Sequence, residues 1–261
     1  MGILNVTPDS FSDGGRFADV ESALAHAEEM IAAGADIIDV GGESTRPGAA
    51  PVSIETELER VIPVIEGIRR FADIPISIDT SKPEVMRAAV ESGADLINDV
   101  YALRRTGALH AAAETGAAVC LMHMQGEPGT MQEAPHYADV VKEVCGFLAE
   151  RVRCCIDAGI AREKLLLDPG FGFRKTLAHN MALLSGLDAL ATLDLPVLAG
   201  LSRKRMVREL AQCETHETLA GNITVAVLAA MKGASVLRVH DVRETVQALR
   251  IVAAMDRPEK G

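Results

Sequence analysis

The sequence contains very few aromatic residues: no Trp, two Tyr and six Phe in 261 residues. A flat heterocyclic ligand would therefore find few rings to stack on, and the core must be built from aliphatic side chains and Met. The longest apolar stretches, such as 224–231, are far below the roughly 18 residues of a membrane span. The formal net charge of −11 disfavours binding to nucleic acid or to an acidic membrane, because the mean field repels a polyanion. An anionic small substrate would need a local cluster of basic residues.

Several familiar catalytic motifs are missing as well. The segment Gly170–Lys175 has Lys where a dinucleotide-binding fingerprint needs its third glycine, and Gly200–Lys204 has Lys where a nucleophile elbow ends in glycine. The chain has no P-loop, no His-Glu-x-x-His and, among its five Cys, no Cys-x-x-Cys. Hydride transfer, NTP cleavage, serine acyl transfer and a catalytic zinc are therefore disfavoured. The start of the chain lacks a basic region and reaches Asp9 too early for a signal peptide, which predicts a cytoplasmic location.

What the chain does contain is a repeated junction between helix and strand. Five times a helical stretch ends at a glycine, and a short apolar strand with polar last residues begins soon after; the glycines are Gly34, Gly93, Gly116, Gly159 and Gly233. A glycine just past a helix tolerates the left-handed backbone that closes the helix, and an apolar run of about four residues is typical of a strand buried on both faces. The rhythm predicts repeated βα units.

Eight candidate strands follow from this pattern. They are predicted at Gly2–Asn5, Asp36–Gly41, Pro75–Asp79, Asp95–Asp99, Ala118–His123, Lys164–Asp168, Leu195–Gly200 and Ser235–His240, with amphipathic helices such as Val20–Ala33, Ile54–Phe71, Lys82–Ser92 and Val140–Ala158 between them. Eight strands with eight helices predict a single-domain α/β fold over residues 1–261, a (β/α)8 TIM barrel whose ligand site lies at the C-terminal ends of the strands. An open doubly wound sheet is the second choice of architecture.

Polar side chains stand just beyond every one of these strands. Each of them alone could cap the next helix, which is the interpretation for Asp241 before Val242, but their recurrence after all eight strands favours a ligand-binding rim. A group of carboxylates and an amide on the middle strands matches the N–H groups of an aminopyrimidinone-like ring: Asp79, Asn98 and Asp168. A group of bases on the last two strands matches a phosphate: Arg203, Lys204, Arg238 and His240. A simple ion pair between Asp168 and Lys204 inside the barrel mouth is the alternative.

Six segments of the chain resemble the dihydropteroate synthase family. They lie in the family's order and span essentially the whole chain: Met1–Gly15, Asp39–Gly48, Ser77–Thr80, Leu167–Gly172, Ser202–Lys204 and Arg238–Asp241. The first two segments are long and highly specific. The family usually carries a short segment before the position of Met1, so this chain looks shortened at its start. Two residues depart from the family pattern, since Arg205 stands where Ser is frequent and Arg174 where Gly is frequent.

The resemblance implies an enzyme that joins 6-hydroxymethyl-7,8-dihydropterin diphosphate to p-aminobenzoate, releasing diphosphate and forming 7,8-dihydropteroate for folate synthesis. By position, the pterin would be held by Asp79, Asn98, Asp168 and Lys204. Asn5 would ligate Mg²⁺, with Arg238 and His240 on the diphosphate. Three residues of the second loop would close over p-aminobenzoate together with the first loop, Asp9–Phe17, and Phe173 would pack near its ring; the three are Thr45, Arg46 and Pro47. A homodimer through the late helices is implied as well.

The difficult step of the expected reaction is the departure of the leaving group, diphosphate. An aromatic amine is neutral and nucleophilic near pH 7, which agrees with a sequence that offers no pairing of a nucleophile with a base. Mg²⁺, Arg238 and His240 would stabilise the charge that develops on diphosphate, while Asp168 favours positive charge on the ring and methylene. We therefore expect a substitution with strong cation character, in which Lys204 positions the pterin.

Two other functions stay open for this sequence. A pterin-binding barrel that transfers a methyl group from a reduced folate to a corrinoid would share the acidic group but would not need Arg238 and His240. A non-catalytic paralogue that only binds pterin would be expected to have eroded first and second loops, whereas both loops look intact here.

Overall fold

The computed structural model describes residues 1–7, 15–44, 50–126, 135–214 and 217–255. Its parallel strands are β1 (Gly2–Asn5), β2 (Ile38–Gly41), β3 (Ile76–Asp79), β4 (Leu96–Asp99), β5 (Ala118–Met122), β6 (Leu165–Asp168), β7 (Leu198–Ala199) and β8 (Val236–Leu237). The helices are α1 (Gly15–Ala32), α2 (Ile54–Phe71), α3 (Pro83–Glu91), α4 (Ala108–Thr115), α5 (Val140–Asp157), α6 (Leu177–Ser185), α7 (Arg205–Ala211), α8 (Leu219–Met231) and α9 (Val242–Met255). Short 3-10 helices lie at Arg162–Lys164 and Leu187–Leu193.

The strands close into a barrel. Strands β1 to β6 form one parallel sheet in chain order, and β7 pairs with β8. Single bridges join the two parts, from Leu167 to Val197 on one side and from Gly2 to Val239 on the other. The second junction carries two backbone hydrogen bonds of 3.0 Å, from Ile3 N to the Val239 carbonyl oxygen and from Val239 N to that of Met1. The predicted (β/α)8 barrel is confirmed, and the open sheet is wrong.

The sequence predicted most elements to within a few residues. Helix α2 has the predicted bounds, because Ser53 caps it by accepting a 3.2 Å hydrogen bond from Thr56 N and basic residues occupy its last turn. All five junction glycines have positive φ, from 65° at Gly116 to 113° at Gly93, as the left-handed helix end requires. One feature was not predicted: two helices, α7 and α8, lie between β7 and β8.

Besides a cluster of Val100, Met122 and Met124 at the ends of β4 and β5, the core has two parts. The larger fills the space between the strands and the surrounding helices and is built from Ile, Leu, Val, Ala and Met. The smaller lies inside the barrel at its N-terminal end, where Met1, Leu96, Cys120 and Leu198 pack together. Among the helices of the described ranges, none combines the length and apolarity that crossing a lipid bilayer requires.

Inside the barrel, polarity changes along the strands. Inward-facing residues repeat every second position. On β4 this period leads from buried Leu96 to buried Asn98, and on β6 it leads from Leu166 to buried Asp168. The N-terminal end of the barrel is therefore filled by apolar side chains, while the C-terminal end presents polar ones to a common mouth.

Candidate active site

The predicted acidic group lies together at this mouth. Asp79 at the end of β3 is the direct register partner of Asn98 on β4, and Asp168 ends β6. Asn98 and Asp168 are buried, and one Asp168 oxygen accepts a 2.7 Å hydrogen bond from Gly170 N. Burial raises the pKa of Asp79 to about 7, against the opposing charge of Arg238. Burial likewise raises the pKa of Asp168, with Lys204 opposing that shift.

A second buried carboxylate, Asp39 on β2, holds the arginine of the site. The Arg238 guanidinium donates from Nε to Asp39 Oδ2 at 2.6 Å and from Nη2 to Asp79 Oδ2 at 2.7 Å. Asp39 is fully buried, and Asn98 Nδ2 lies 3.5 Å from the same Asp39 oxygen. Sequence reasoning missed this role of Asp39. The signal was a charged residue inside the apolar run Ile37-Ile38-Asp39-Val40, where only an inward-facing, partnered carboxylate is stable.

Lys204 contacts the loop that follows β6 instead of pairing with Asp168. Its Nζ donates to the Phe171 carbonyl oxygen and lies 4.6 Å from the centroid of the Phe173 ring. The alternative of a simple Asp168–Lys204 ion pair is therefore not what the structure shows. Burial lowers the pKa of Lys204 to about 8, while the nearby Asp168 charge opposes that shift.

His240 is oriented by Ser202 from the neighbouring loop. The Ser202 hydroxyl oxygen lies 2.9 Å from His240 Nδ1 and accepts a 3.3 Å hydrogen bond from the His240 backbone N–H. Since that oxygen accepts from the backbone, its own hydrogen is available to Nδ1. When the hydroxyl donates to Nδ1, the neutral tautomer of the ring carries its hydrogen on Nε2, where it can donate to an anion.

The loops after β7 and β8 are joined by the side chain of Asn222, in α8. Its Oδ1 accepts from Arg203 N at 2.9 Å, and its Nδ2 donates to Asp241 Oδ2 at 3.0 Å. Arg203, which adopts a left-handed φ of 58°, donates from Nη2 to Asp241 Oδ1 at 2.7 Å. The interpretation of Asp241 as a helix cap is therefore wrong for its side chain, which binds Arg203 and Asn222 instead. Sequence reasoning also missed Asn222, which belongs to none of the six motif segments.

Asn5 ends β1 beside the acidic group. Its Oδ1 and Asp79 Oδ2 lie 3.8 and 3.9 Å from the point where a β-carbon on Gly41 would stand, so both oxygens border the same small space beside Gly41. Among the described residues, no group of three or more His, Cys, Asp or Glu side chains could hold a metal. Hard oxygen donors with few protein ligands suit Mg²⁺, which usually keeps waters and substrate phosphate oxygens. These oxygen donors are of the type that the predicted magnesium ion requires, and the role of Asn5 as its ligand stays a prediction.

Three predicted p-aminobenzoate residues, Thr45, Arg46 and Pro47, lie outside the described residues, as does most of the first loop. Just before the second loop, Glu43 is described. It accepts a hydrogen bond of 3.4 Å from Val52 N beyond the loop, and Lys82 Nζ pairs with it and with buried Glu57.

The two departures from the family pattern have definite positions. Arg205 begins α7, is 82% exposed and pairs with Glu209 at 2.6 Å, one turn further along the helix. Arg174 adopts a left-handed φ of 47°, a conformation that explains why glycine is favoured there. Arg205 is therefore held on the outer surface of α7 in this structure.

Similarity to known proteins agrees with this site. A family model described as "Pterin binding enzyme" matches residues 1–240. The dihydropteroate synthase of Escherichia coli K12 is 59% identical over 254 residues, which cover 97% of this chain and 90% of that protein. This chain belongs to the dihydropteroate synthase family.

Solved dihydropteroate synthases share the fold over the same extent. The Xanthomonas albilineans enzyme with 4-aminobenzoic acid superposes with a TM-score of 0.93 at 54% identity, covering 99% of this chain and 93% of that one. A structure of that enzyme in complex with 7,8-dihydropteroate gives a TM-score of 0.90 at 51% identity, covering 99% and 94% of the two chains. The predicted family is confirmed.

Proposed function

We propose that this member of the dihydropteroate synthase family condenses 6-hydroxymethyl-7,8-dihydropterin diphosphate with p-aminobenzoate, releasing diphosphate and forming 7,8-dihydropteroate. One observation carries the proposal: a buried acidic group and a basic group meet at a single barrel mouth. The first, Asp79, Asn98 and Asp168, suits the N–H edge of a pterin. The second, Arg238 and His240, suits the diphosphate, while Lys204 would position the pterin.

The pterin would be held by both hydrogen bonds and apolar contact. Asp168 already has one oxygen fixed by Gly170 N, so its carboxylate is oriented before the ring arrives. Beside it lies an apolar cluster of Val100, Met122 and Met124, against which Phe173 packs. In a chain without Trp, this cluster offers the flat ring an aliphatic surface in place of an aromatic stack.

The diphosphate would approach Arg238 from the side that the carboxylates leave uncovered. Guanidinium carries five N–H donors, and the two bonds to Asp39 and Asp79 use only Nε and one hydrogen of Nη2. Arg238 can therefore keep its position in the barrel while Nη1 donates to a phosphate oxygen. His240 Nε2 supplies a further donor. Mg²⁺, held by Asn5 and by diphosphate oxygens, would add positive charge to the leaving group when bound.

In the reaction, the C–O bond from the pterin methylene to diphosphate breaks and a C–N bond to the p-aminobenzoate amine forms. The amine loses one proton, which solvent can accept, so the site needs no strong base. The Asp168 carboxylate stabilises positive charge on the ring and methylene as the bond breaks, and Lys204 positions the pterin. These roles make Asp168, Lys204, Arg238 and His240 the proposed catalytic residues.

Other parts of the predicted function remain proposals from the resemblance. Thr45, Arg46 and Pro47 would close over p-aminobenzoate, with Phe173 near its ring. A cytoplasmic homodimer is also expected, and sedimentation tests the dimer.

The deciding experiment is a product assay in which the pterin diphosphate, p-aminobenzoate and Mg²⁺ are omitted in turn. We expect dihydropteroate only when all three are present. A chain that transferred methyl groups from a folate, or that only bound pterin, would leave p-aminobenzoate unchanged.

A second measurement tests the placement of the diphosphate. Replacing Arg238 by Lys keeps a cation beside Asp39 and Asp79 but removes the planar set of N–H donors that the guanidinium presents. It should weaken binding of the pterin diphosphate by about ten- to a hundredfold, because a charge-assisted contact contributes about 1.5–3 kcal/mol. Calorimetry with the pterin alcohol, which lacks diphosphate, is the matched control. Equal losses for both ligands would place Arg238 elsewhere.

A further inference from the structure

We propose that Lys175 is a positioning residue of this site, which holds the loop between β6 and α6 against the end of β5 and thereby sets Lys204 at the pterin. This role rests on the function proposed above. Lys175 lies within none of the six motif segments that carry the family resemblance, and no step of the proposed reaction uses it.

The Lys175 ammonium is buried and bound almost entirely by backbone carbonyls. Its Nζ lies 2.8 Å from the Gly170 carbonyl oxygen and 3.1 Å from that of Phe173, both in the loop. Across the gap, it lies 3.0 Å from His123 Nδ1 and 3.4 Å from the His123 carbonyl oxygen, just beyond β5. Burying a lysine nitrogen is costly unless its hydrogens are bonded, and here they join the loop to His123 just beyond the last β5–β6 ladder bond, from His123 N to the Asp168 carbonyl oxygen.

The loop is packed so closely on His123 that even a small displacement of the loop would change its contacts with this residue. A β-carbon on Gly170 would stand 1.9 Å from the His123 carbonyl oxygen, and Gly170 has a φ of 69°. Burial lowers the pKa of the His123 ring to about 3, so the ring is neutral at pH 7 and its Nδ1 accepts the Lys175 hydrogen. The end of β5 is thus a fixed surface against which Lys175 holds the loop.

The same loop sets the position of Lys204 through three consecutive residues. The Phe171 carbonyl oxygen accepts from Lys204 Nζ, and the Phe173 ring lies 4.6 Å from that nitrogen. Between them, a β-carbon on Gly172 would stand 2.9 Å from Lys204 Cδ. A shift of the loop must therefore move Lys204, while Asp79 and Asn98, on strands across the barrel, keep their positions.

Asn180 provides a second anchor that does not use the Lys175 side chain. Its Oδ1 accepts from Gly172 N at 2.7 Å, and its Nδ2 donates to the carbonyl oxygens of Lys175 and Thr176 at 3.2 and 2.8 Å. Because this anchor remains, loss of the Lys175 side chain should loosen the loop without unfolding the barrel.

The test is a double-mutant cycle on pterin affinity, measured by calorimetry. Lys175→Met should weaken pterin diphosphate binding by about tenfold in the otherwise unchanged chain, within the range that directly coupled residues show. In the Lys204→Met background the same change should have less than about a twofold effect, because the residue through which Lys175 acts is gone. If the losses of binding free energy in the two single variants add in full in the double variant, the positioning role is overturned.

Lys164→Met is the matched control. Lys164 stands at the other end of β6, and its Nζ donates to the Gly116 carbonyl oxygen, so this variant also loses one lysine bound to a backbone carbonyl. We expect unchanged pterin affinity. A loss equal to that of Lys175→Met would show an effect of net charge and would overturn the proposal.

Two further outcomes are separated by design. If Lys175→Met does not unfold cooperatively, the cycle is run with Lys175→Gln, which keeps an N–H donor. Failure of both variants to fold would leave Lys175 a purely structural role and overturn the proposal.

The product assay on the unchanged chain is done first. Absence of dihydropteroate there contradicts the proposed function, whereas normal product with unaltered binding by the Lys175 variants contradicts only the positioning role.

Discussion

The two parts of the barrel hold their functional groups in different ways. Strands β1 to β6 have four or five residues each and form a continuous ladder, and the acidic group stands directly on or at the end of these strands. Strands β7 and β8 have two residues each, and single bridges join them to the rest. Of the basic residues that follow them, Arg203 and His240 are positioned by side-chain hydrogen bonds with Ser202, Asn222 and Asp241, and Arg238 by its bonds to Asp39 and Asp79.

This difference has a consequence for binding. Backbone ladders fix the acidic group for the pterin ring, so few single substitutions elsewhere can displace it. The groups proposed for the diphosphate depend instead on a handful of side chains, each of which one substitution removes. Changes outside the ligand contacts should therefore affect binding of the diphosphate more than binding of the ring.

The largest expected effect comes from removing the arginine that joins the two parts. Arg238→Met leaves Asp39 and Asp79 buried without their counter-charge, which should cost about 3–5 kcal/mol of unfolding free energy at neutral pH. The loss should shrink as pH falls below about 7, because the Asp79 carboxylate, whose pKa burial raises to about 7, takes up a proton there. Denaturant unfolding at several pH values measures the loss of unfolding free energy and its pH dependence. The control is Arg205→Met, which removes the exposed ion pair with Glu209. A loss below about 1 kcal/mol would contradict the buried bridge.

The pH dependence of stability should distinguish the two parts next. The folded-state pKa of Asp79 is raised by burial to about 7, above its ordinary value of 3.8, so the folded chain binds more protons than the unfolded chain in that window. Stability should therefore fall as pH rises from about 4 to about 7, by at most about 4 kcal/mol from this group. Asp79→Asn should remove that decline, and an identical pH profile would place the titration elsewhere.

Two buried lysines, one after β6 and one after β7, predict the opposite slope. Burial lowers the pKa of Lys175 to about 7 and that of Lys204 to about 8, so between these values and about 10 the unfolded chain binds more protons. These lysines should make stability rise with pH in that range. Comparison with the Lys175→Met variant isolates one of the two contributions.

Within the acidic group, Asp168→Asn should weaken pterin binding by roughly ten- to a hundredfold, because a charge-assisted contact contributes about 1.5–3 kcal/mol. Binding of p-aminobenzoate should change far less. Calorimetry with each ligand separately tests this selectivity. Equal losses for the two ligands would indicate that Asp168 supports the fold of the mouth instead of contacting the pterin.

On the basic side, Asn222→Ala should act without touching a ligand. It removes the bonds to Arg203 N and to Asp241, at a cost of about 1–3 kcal/mol. Affinity for the pterin diphosphate should fall more than affinity for the pterin alcohol. Thr224→Ala, which removes an exposed hydrogen bond in the same helix, is the control and should change neither affinity. An equal fall in affinity for both ligands would contradict the expected difference between the two parts of the barrel.

The smallest effect is expected at Arg205. Its side chain is mostly exposed and pairs with Glu209 along α7, a type of contact that contributes about 0.3–0.5 kcal/mol. Arg205→Ala should leave the KM for p-aminobenzoate within about twofold of the unchanged chain. A tenfold rise would show that this arginine contacts the substrate carboxylate during turnover.

Much of the fold was predictable because its signals are local. The glycine that ends a helix and the apolar run of a buried strand are each encoded within a few neighbouring residues, and α2 and α5 begin at the predicted residues. Predictions for β7 and β8 were too long, at Leu195–Gly200 and Ser235–His240, because their apolar composition continues beyond the two residues that pair.

The sequence by itself determined the barrel class, the residues at its mouth and the family, since periodicity, helix ends and motif order are all properties of neighbours along the chain. Only the tertiary structure decided how those residues are held. The bond from Arg238 to Asp39 spans 199 positions and the bond to Asp79 spans 159. Lys175 binds His123 across 52 positions, and Asn222 binds Arg203 across 19. Such contacts exist only after the barrel closes, because a buried charge takes whichever partner the fold brings within hydrogen-bond distance.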